Sequence, residues 1–344
     1  MRAAYLKSHG GPEVIEVGEL PVPTISSTQV LVRIKFAALN HLDIWIRKGL
    51  PFQLLYPHIL GSDASGVVEQ VGSEVKTIHP GDEVIVHPGI SCMHCQSCLS
   101  GWESLCAGYK ILGEQVSGTD AQFIAVPAVN IFPKPKGMTF EQAAAVGLVF
   151  TTAWQMLVRR AQVQAGDSVL IHAAGSGVST AAIQIARLFG AEVIATAGSV
   201  KNLELATALG ARYTINYKEK DFVAEVRSVV GKAGVDMIVD HVGAALWDKN
   251  MKVLRRGGKI VTCGATSGFD ARLDLRTVFF KQVQILGSTM GSKADFWRIL
   301  REFELGFLRP VVDKVFALDD IRLAHQYIED RKQSGKVLLK VESY

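Results

Sequence analysis

The chain has 344 residues, 48% of them hydrophobic, and a formal net charge of +4 at pH 7. This length suffices for about two domains of roughly 150 residues, each with its own core. Basic and acidic residues are interspersed, which argues against nucleic acids and membrane surfaces as partners, and the apolar runs are interrupted by Gly, Ser and Thr, as in buried elements. The N-terminus shows no secretory apolar segment, so we expect a soluble cytoplasmic protein.

The sequence pattern up to residue 129 is typical of a β-rich domain. Short alternating or apolar runs, separated by Gly and Pro, predict strands at residues 14–17, 29–36, 66–71, 82–86 and 122–126. Residues 132–137 read as a connector. Thr139, with Gln142 three residues later, predicts a capping box at the start of a helix.

Four of the five cysteines lie within this β-rich part, at Cys92, Cys95, Cys98 and Cys106. Spacings of two residues allow thiolates to converge on one tetrahedral Zn²⁺. A bacterial iron–sulfur run would place its fourth cysteine after three residues and follow it with proline, whereas here the interval is seven residues and Ala107 follows. Disulfides would require an oxidising compartment. The segment therefore predicts one structural zinc ion.

The second half of the chain predicts a doubly wound parallel sheet. Apolar runs at residues 169–172, 193–196, 213–216, 237–240, 259–262 and 284–286 alternate with stretches of helical periodicity, which is typical of βαβ units. From about residue 292 a helix and a last strand at 336–341 follow. A single strand is not stable alone, so we expect it to join the sheet of the first domain.

The turn after the first of these parallel strands is a candidate phosphate cradle. Its predicted contacts with a dinucleotide are Gly175, Ser176, Gly177 and Val178. A third glycine is absent, so the motif is incomplete, but its place between a strand and a helix favours pyrophosphate binding at the helix N-terminus. A tight turn that binds nothing is the alternative.

The end of the next strand bears on the choice of coenzyme. NAD sites usually carry an acidic residue there, which binds the ribose hydroxyls and would repel a 2'-phosphate. This chain has none at that place, and Ser199 and Lys201 follow, which favours NADP(H) over NAD(H). Alternatively, Ser199 and Lys201 only cap and solvate the next helix.

Several motifs together resemble the medium-chain dehydrogenase/reductase superfamily over essentially the whole chain: the cysteine segment, Gly61-x-Asp63-x-x-Gly66, Gly81-Asp-Glu-Val84, the cradle and Gly335-Lys-Val. The resemblance implies an α/β protein that combines a GroES-like catalytic domain with a Rossmann coenzyme domain. The first would comprise residues 1–148 and 292–344, with the zinc lobe at 92–106, and the second residues 149–291. The family also implies a homodimer or homotetramer, with residues 283–287 as a candidate sheet-edge contact.

Zinc alcohol dehydrogenases of this superfamily hold a second, catalytic zinc through Cys, His and Cys. The corresponding positions here carry Asn40, Ser62 and Leu148, and the only cysteine outside the lobe is Cys263. We therefore expect no catalytic zinc in this chain.

Other motifs are similar to the quinone oxidoreductase branch, which reduces quinones or other activated double bonds with NADPH: Asn40-x-x-Asp43-x-x-x-Arg47-x-Gly49, Val239-Asp-x-Val-Gly243 and Gly264-Ala-Thr-Ser-Gly268. That branch usually lacks the zinc lobe, and its phosphate-binding lysine corresponds to Asn202. Tyr217 matches its tyrosine beside the 2'-phosphate. The resemblance thus adds Tyr217, Val242, Gly264 and Ala265 to the predicted coenzyme contacts.

The predicted reaction is hydride transfer to a small-molecule electrophile, a quinone or an activated C=C or carbonyl group. The product anion is delocalised, so hydrogen-bond donors suffice where an alcohol would need a metal. Asn40 is the predicted amide donor near the nicotinamide or the substrate oxygen, Ser62 is a second donor, and Thr152 is expected beside the nicotinamide. Asp43 and Asp63 are expected to orient an arginine or backbone groups rather than to act as acids or bases. For Asn40 the alternative is an asparagine that only closes a loop, and for the hydroxyls of Ser62 and Thr152 it is a bond to the local backbone.

Two other functions stay open at this point. One is an alcohol dehydrogenase or carbonyl reductase that uses another acid, for which His41 is the candidate. The other is a non-enzymatic NADPH-binding protein of the zeta-crystallin kind. His41, Tyr56 and His58 are candidate proton-relay residues, for which packed, satisfied side chains are the common alternative.

Overall fold

The structure is a computed structural model that describes residues 1–49, 51 and 53–341. In chain order its strands are β1 (Arg2–Leu6), β2 (Ile15–Glu19), β3 (Gln29–Leu39), β4 (His58–Ile59), β5 (Asp63–Val71), β6 (Glu83–Val86), β7 (Gly89–Ile90), β8 (Lys110–Ile111), β9 (Phe123–Pro127), β10 (Ile131–Pro133), β11 (Ser168–Ile171), β12 (Glu192–Ala197), β13 (Tyr213–Asn216), β14 (Val235–Asp240), β15 (Leu254–Thr262), β16 (Gln284–Gly287), β17 (Val312–Ala317) and β18 (Lys336–Lys340). Its α-helices are α1 (His41–Lys48), α2 (Gln96–Leu99), α3 (Phe140–Ala144), α4 (Gly147–Trp154), α5 (Gly177–Leu188), α6 (Val200–Leu209), α7 (Phe222–Val230), α8 (Ala244–Val253), α9 (Leu275–Lys281), α10 (Lys293–Glu304) and α11 (Ile321–Glu329). Within these described residues no helix is long and apolar enough to cross a lipid bilayer.

The chain divides into two compact units. The first comprises Met1–Leu148, Gly291–Glu304 and the C-terminal segment from Arg309, and the second comprises Val149–Met290 and Leu305–Leu308. The first unit is rich in β-strands and the second contains a parallel sheet flanked by helices, so the predicted α/β fold class is confirmed.

The main sheet of the first unit is built around the long strand β3. Its strand order is β10-β6-β5-β3-β18-β17, and β9 also pairs with β3. Alternate side chains of β3, at Val30, Val32 and Ile34, are buried in the core of this unit. Strand β18 pairs antiparallel with β3, with Val337 opposite Leu39. The expected return of the last strand to the first sheet is therefore confirmed.

The region between the two halves of the sequence contains one strand more than predicted. The supposed connector at 132–137 begins inside β10, which pairs with β6 at the edge of the sheet. Pro133 ends this edge strand, where its missing N–H interrupts no ladder. The capping box that follows is confirmed, because Gln142 N donates to Thr139 Oγ1 at 3.2 Å and Thr139 N donates to Gln142 Oε1 at 3.0 Å.

The sheet of the second unit is entirely parallel, with the order β13-β12-β11-β14-β15-β16. Its six strands coincide with the six predicted ones to within a few residues at each end. Helix α5 buries Ala182 and Ile185, and Gly190 follows it with φ +76°, as expected for a C-terminal cap. In sheets of this order, ligands bind beside the carboxyl ends of the strands, where the order reverses between β11 and β14.

Candidate functional site

The four cysteines of the segment 92–106 converge in the first unit. Their Sγ atoms lie within 4.8 Å of one another, and Cys98 Sγ is 3.6 Å from Cys95 Sγ and 3.8 Å from Cys92 Sγ. All are free of disulfides. In the described part of the chain this is the single group of three or more His, Cys, Asp or Glu side chains close enough to share a metal ion. A tetrahedral zinc ion fits Cys92, Cys95, Cys98 and Cys106.

The acidity of the thiols differs within the cluster. The backbone N–H of His94, with that of Cys95, lowers the pKa of Cys92 to about 6, which favours the thiolate that a metal requires. Burial raises the pKa of Cys98 to about 11, so this thiol loses its proton only when a cation replaces it. The His94 ring contacts the carbonyl oxygen of Cys92 at 2.7 Å rather than joining the cluster.

A buried ion pair ties the cysteine lobe to helix α10. Glu103, between the third and fourth cysteines, accepts from Lys293 Nζ at 2.8 Å and from Lys293 N at 2.9 Å. Lys293 Nζ also donates to the Gly89 carbonyl at 2.9 Å. Both charged side chains are almost completely buried. The carboxylate thus neutralises the ammonium and caps the positive end of α10 at the same time.

The predicted phosphate cradle forms the turn between β11 and α5 in the second unit. Ser176 is the N-cap of α5, and its Oγ accepts from Ser179 N at 3.1 Å. A Cβ on Gly175 would lie 2.3 Å from Asn202 Nδ2, so a side chain there would displace the Asn202 amide. The Oδ1 atom of Asn202 is buried without a hydrogen-bond partner among the described residues. Backbone N–H groups at the start of α5, including those of Gly177 and Val178, are suited to hold a pyrophosphate.

Thr180 stands at the place of the absent third glycine, and its hydroxyl donates to the Gly177 carbonyl at 2.8 Å. The hydroxyl of Ser179, one residue earlier, donates to the His172 carbonyl at 2.6 Å and lies 2.8 Å from His241 Nε2. The same imidazole nitrogen lies 3.1 Å from Ser176 Oγ. His241 therefore fixes both serines of the cradle from the end of β14.

The end of β12 gathers the residues predicted to select the coenzyme. Ser199 is the N-cap of α6 and accepts from Asn202 N at 3.4 Å. A Cβ on Gly198 would lie 2.7 Å from Tyr217 Oη and 3.0 Å from Lys218 Cε, so both side chains run past this glycine. Lys201 is exposed on the first turn of α6.

The other predicted coenzyme contacts lie on two loops that touch each other. Asp240 accepts from Val242 N at 2.9 Å and holds the turn after β14. The Val242 carbonyl accepts from Ser267 Oγ at 2.6 Å, which joins this turn to the loop containing Gly264 and Ala265. The space beside Gly243 is narrow, since an added Cβ would meet Ala265 Cα at 3.0 Å.

The first unit contains a buried polar network of Asn40, Asp63 and Lys336. Lys336 Nζ donates to Asn40 Oδ1 at 2.6 Å and to Asp63 Oδ2 at 2.9 Å. Asn40 Nδ2 donates to Asp63 Oδ2 at 3.0 Å and to the Ala38 carbonyl at 3.3 Å. Asp63 Oδ1 accepts from Leu148 N at 2.6 Å. Both N–H groups of the Asn40 amide are thus engaged within the protein.

Two further carboxyl groups lie behind this network. Asp43 accepts from Asn40 N at 2.7 Å and from Gly61 N at 3.3 Å, and burial raises its pKa to about 6. Asp120 is fully buried, and neither of its oxygens has a hydrogen-bond partner among the described residues. Burial, reinforced by the charge of Asp43, raises the pKa of Asp120 well above its usual value and favours the protonated form.

A catalytic zinc does not fit the three positions that the family would use. Asn40 accepts an ammonium proton, the Ser62 hydroxyl donates to the Leu112 carbonyl at 2.8 Å, and Leu148 is aliphatic. The nitrogen and sulfur ligands that zinc prefers are absent from all three positions. The predicted donor role of Ser62 would require it to break its backbone bond.

The remaining predicted residues have partners in their own surroundings. Thr152 is buried in α4, with its Oγ1 3.9 Å from Met290 Sδ. His58 Nε2 contacts the Gly113 carbonyl at 2.8 Å, and burial lowers its pKa. The His41 ring packs edge-on against Trp45, and burial lowers the pKa of His41 as well. Tyr56 is half exposed, with its ring edge-on to that of His9.

Some residues of these sites were not predicted. Lys336 stands within the Gly335-Lys-Val motif, where a lysine at the first position of a buried strand was the available signal. His241 occupies the variable position of Val239-Asp-x-Val-Gly243 at a strand end. Glu103 had no local signal, because its partner lies in α10, far along the chain.

Comparisons with known proteins extend over both units. The chain matches the families described as "Alcohol dehydrogenase GroES-like domain" over residues 26–136 and "Zinc-binding dehydrogenase" over residues 177–304. It is 30% identical to the quinone oxidoreductase of Mus musculus, over 98% of this chain and 97% of that protein. It is also 30% identical to the NAD-dependent alcohol dehydrogenase of Sulfolobus acidocaldarius, over 99% of this chain and 100% of that protein. A solved structure of an NAD-dependent alcohol dehydrogenase has a TM-score of 0.96 at 50% identity, covering 99% of this chain and 100% of that one.

Proposed function

The chain belongs to the zinc-type medium-chain dehydrogenase/reductase superfamily of NAD(P)-dependent oxidoreductases, and we propose that it transfers hydride from NADPH to a quinone or to another activated double bond or carbonyl. One zinc ion has a structural role in this proposal, held by the four cysteines of the segment 92–106. The reduced nicotinamide supplies the hydride when the coenzyme is bound.

The observation that carries the proposal is the set of side chains at the three catalytic-ligand positions. Alcohol oxidation requires removal of a hydroxyl proton, which a zinc ion assists by stabilising the alkoxide. Asn40, Ser62 and Leu148 do not provide that assistance. A quinone or conjugated carbonyl instead delocalises the charge that it acquires, and hydrogen-bond donors are sufficient to stabilise it.

The preference for NADP(H) is supported at the end of β12. No carboxylate stands there to repel a 2'-phosphate, and Tyr217 and Lys218 run past Gly198. Lys218 offers a cation near this place, although Asn202 occupies the position of the lysine used in the quinone oxidoreductase branch. The cradle residues Gly175 and Ser176 and the start of α5 would hold the pyrophosphate.

Alcohol dehydrogenation is the second candidate. It is favoured by the solved structure at 50% identity, which is named an NAD-dependent alcohol dehydrogenase. In that case the unpartnered Oδ1 of Asn202 would suit a ribose hydroxyl donor, and NAD(H) would be the coenzyme.

A steady-state comparison of acceptors tests the proposal. With NADPH, kcat/KM for the best of a panel of quinones and enones is expected to exceed that for oxidation of simple alcohols, with either oxidised coenzyme, by at least about 100-fold. NADPH is expected to give a kcat/KM about tenfold or more above NADH, because only NADPH presents a 2'-phosphate to Lys218. Strong alcohol oxidation with NAD⁺ would favour the second candidate. Tight NADPH binding without turnover of any electrophile would favour a non-enzymatic role.

We also propose that two copies of the chain associate through β16. This strand pairs with β15 and is the last strand of the sheet, so no described strand pairs with its other side. Its last carbonyl, that of Gly287, accepts from Arg160 Nε at 2.8 Å. The nearby side chains of Leu275, Phe279 and Phe280 are more than half exposed, which is unusual for a surface in contact with water. A second copy of the same edge satisfies both the backbone groups and the apolar surface.

Light scattering after size-exclusion chromatography tests this association. The wild-type chain is expected to be a dimer or tetramer, and Ile285→Lys is expected to shift it towards the monomer, because the lysine would carry a charge into the paired edge. Val200→Lys is the matched control, since Val200 is an exposed apolar residue elsewhere in the same unit. A monomeric wild type, or an unchanged mass for Ile285→Lys, would contradict the proposal.

A further inference from the structure

His241 joins two strand ends of the second unit. It directly follows β14, and its ring reaches the phosphate cradle between β11 and α5. Its Nε2 atom is 2.8 Å from Ser179 Oγ and 3.1 Å from Ser176 Oγ. The residue is 9% exposed, so its ring depends on hydrogen-bond partners within the protein. The side chain thus contacts the cradle from outside the sequence motif that forms it.

The hydrogen bonds of Ser179 determine which nitrogen of the His241 ring carries a proton. A serine hydroxyl has one proton and two lone pairs. The Ser179 hydroxyl donates its proton to the His172 carbonyl at 2.6 Å, because a carbonyl oxygen can only accept. Towards His241 Nε2, Ser179 Oγ can therefore act only as an acceptor. It follows that Nε2 carries a proton and donates it.

The same donor restricts how Ser176 can bind a ligand. Ser176 Oγ accepts from Ser179 N at 3.1 Å and lies 3.1 Å from the protonated Nε2 of His241. These two contacts occupy both of its lone pairs. Its own proton is directed to Ser179 Oγ, at 3.0 Å. A ligand beside Ser176 can thus only accept this proton, which suits an anionic oxygen and excludes a hydrogen-bond donor.

The start of α5 is open to such a ligand. Ser176, Gly177 and Val178 are partly exposed, whereas Ser179 is buried. Because Gly177 and Val178 are the first residues of the helix, their N–H groups have no backbone acceptor within the described residues. A phosphate group that these N–H groups bind would lie next to the Ser176 hydroxyl.

We propose that His241 is a positioning residue for the coenzyme: its Nε2–H holds Ser179, so that Ser176 can turn its proton to an oxygen of the coenzyme pyrophosphate. The inference rests on the proposed function, in which this cradle holds the coenzyme. When the Ser176 proton turns to the phosphate, Ser179 Oγ keeps the hydrogen bond from His241. Without His241, the same turn would leave a buried oxygen that accepts no hydrogen bond, which opposes binding of the coenzyme.

His172 provides a matched control in the same unit. It is a second buried imidazole beside the cradle, but its ring nitrogens have other partners. Its Nε2 donates to Asn250 Oδ1 at 2.7 Å, and its Nδ1 lies 3.0 Å from Thr196 Oγ1. Only its backbone carbonyl binds Ser179, and a substitution of the side chain leaves that carbonyl in place.

Fluorescence titration with NADPH and with NADH tests the inference. His241→Phe, which keeps a ring but lacks the N–H, is expected to raise the Kd of each coenzyme at least about fivefold. The factor is expected to be the same for both coenzymes, because they share the pyrophosphate. His241→Gln, which keeps an N–H donor, is expected to stay within about threefold of wild type. His172→Phe is expected to lower the melting temperature without raising either Kd.

A double-mutant cycle shows whether His241 acts through Ser176. In a Ser176→Ala background, His241→Phe is expected to change Kd less than about twofold, because the hydroxyl that it serves is absent. An undiminished effect in that background, or an unchanged Kd for His241→Phe in the wild-type background, would overturn the inference. His241→Met takes the place of the phenylalanine variant if that variant does not fold.

These measurements are independent of the hydride acceptor. If the wild-type protein binds the coenzymes but reduces no quinone, the proposed function fails, while the cycle still decides the role of His241. Nitrogen-15 NMR of the coenzyme-free protein adds a direct readout. The Nε2 atom of His241 is expected to carry a proton, and a proton on Nδ1 alone would also overturn the inference.

Discussion

Replacement of Cys106 by serine is expected to release the structural zinc ion and to lower the free energy of unfolding of the first unit by about 3–5 kcal/mol. Serine is a poor zinc ligand, and three thiolates without a fourth hold the ion weakly. The free energy of zinc binding is free energy of folding for the lobe, because the four thiolates do not form a site in the unfolded chain.

The loss is expected to extend beyond the lobe through Glu103. This carboxylate lies between Cys98 and Cys106 and neutralises the buried ammonium of Lys293. When the lobe opens, Lys293 remains buried without its partner, which accounts for the magnitude. Elemental analysis after dialysis and urea unfolding are the measurements, with Cys263→Ser as control because Cys263 lies outside the cluster. A Cys106→Ser protein that keeps its zinc and its unfolding midpoint would contradict the assignment.

Acidification to pH 5 is expected to cost about 2 kcal/mol for each of three buried histidines, His87, His172 and His325. Burial lowers the pKa of His87 and His325 to about 3 and that of His172 to about 4. In the unfolded chain they titrate near 6.5. Below that pH the unfolded state binds more protons than the folded state, so stability falls as the pH decreases from 6.5 towards 4.

A substitution at His325 separates the contribution of one histidine to stability from that of the carboxyl groups, which has the opposite sign on acidification. The raised pKa of Asp43 makes its own contribution rise on acidification, so total stability is a poor readout. His325 Nδ1 lies 3.4 Å from Nη1 of the Arg47 guanidinium, so a positive charge on the imidazole would be repelled. Relative to wild type, His325→Gln is expected to gain about 2 kcal/mol between pH 7 and pH 5 in urea unfolding. A difference that does not change with pH would show that the folded protein does not lower the pKa of His325.

The sequence was sufficient for features that depend on local pattern. Apolar runs of three or four residues predicted all six parallel strands, and the cysteine spacing predicted the metal cluster. The two-residue strands β4, β7 and β8 were missed, because two residues contain no periodicity, and β10 was missed because its proline resembles a connector. These short strands form because they pair with neighbouring strands, which the local sequence does not show. The longer strands β1 and β17 were also missed.

The sites were less predictable, because their chemistry depends on residues far apart in the chain. Asn40 and Asp63 were recognised, but Lys336, the cation that joins them, comes from the last strand. Asp43 and Asp63 were expected to orient an arginine or backbone groups. Both accept from backbone N–H groups, those of Asn40 and Leu148 respectively, whereas Arg47 donates to Glu329 at 2.8 Å. Asp120 belongs to no sequence motif. Only the structure shows that its carboxyl group is buried without a hydrogen-bond partner among the described residues.

The zinc content of the purified wild-type protein, measured while it reduces a quinone with NADPH, tests the central claim most directly. The claim is that the zinc ion of the cysteine lobe supports the fold and that the reaction proceeds without a second metal. We predict about one zinc ion per active chain, held by four thiolates. Two zinc ions per chain, with activity lost when the second is removed, would contradict the account.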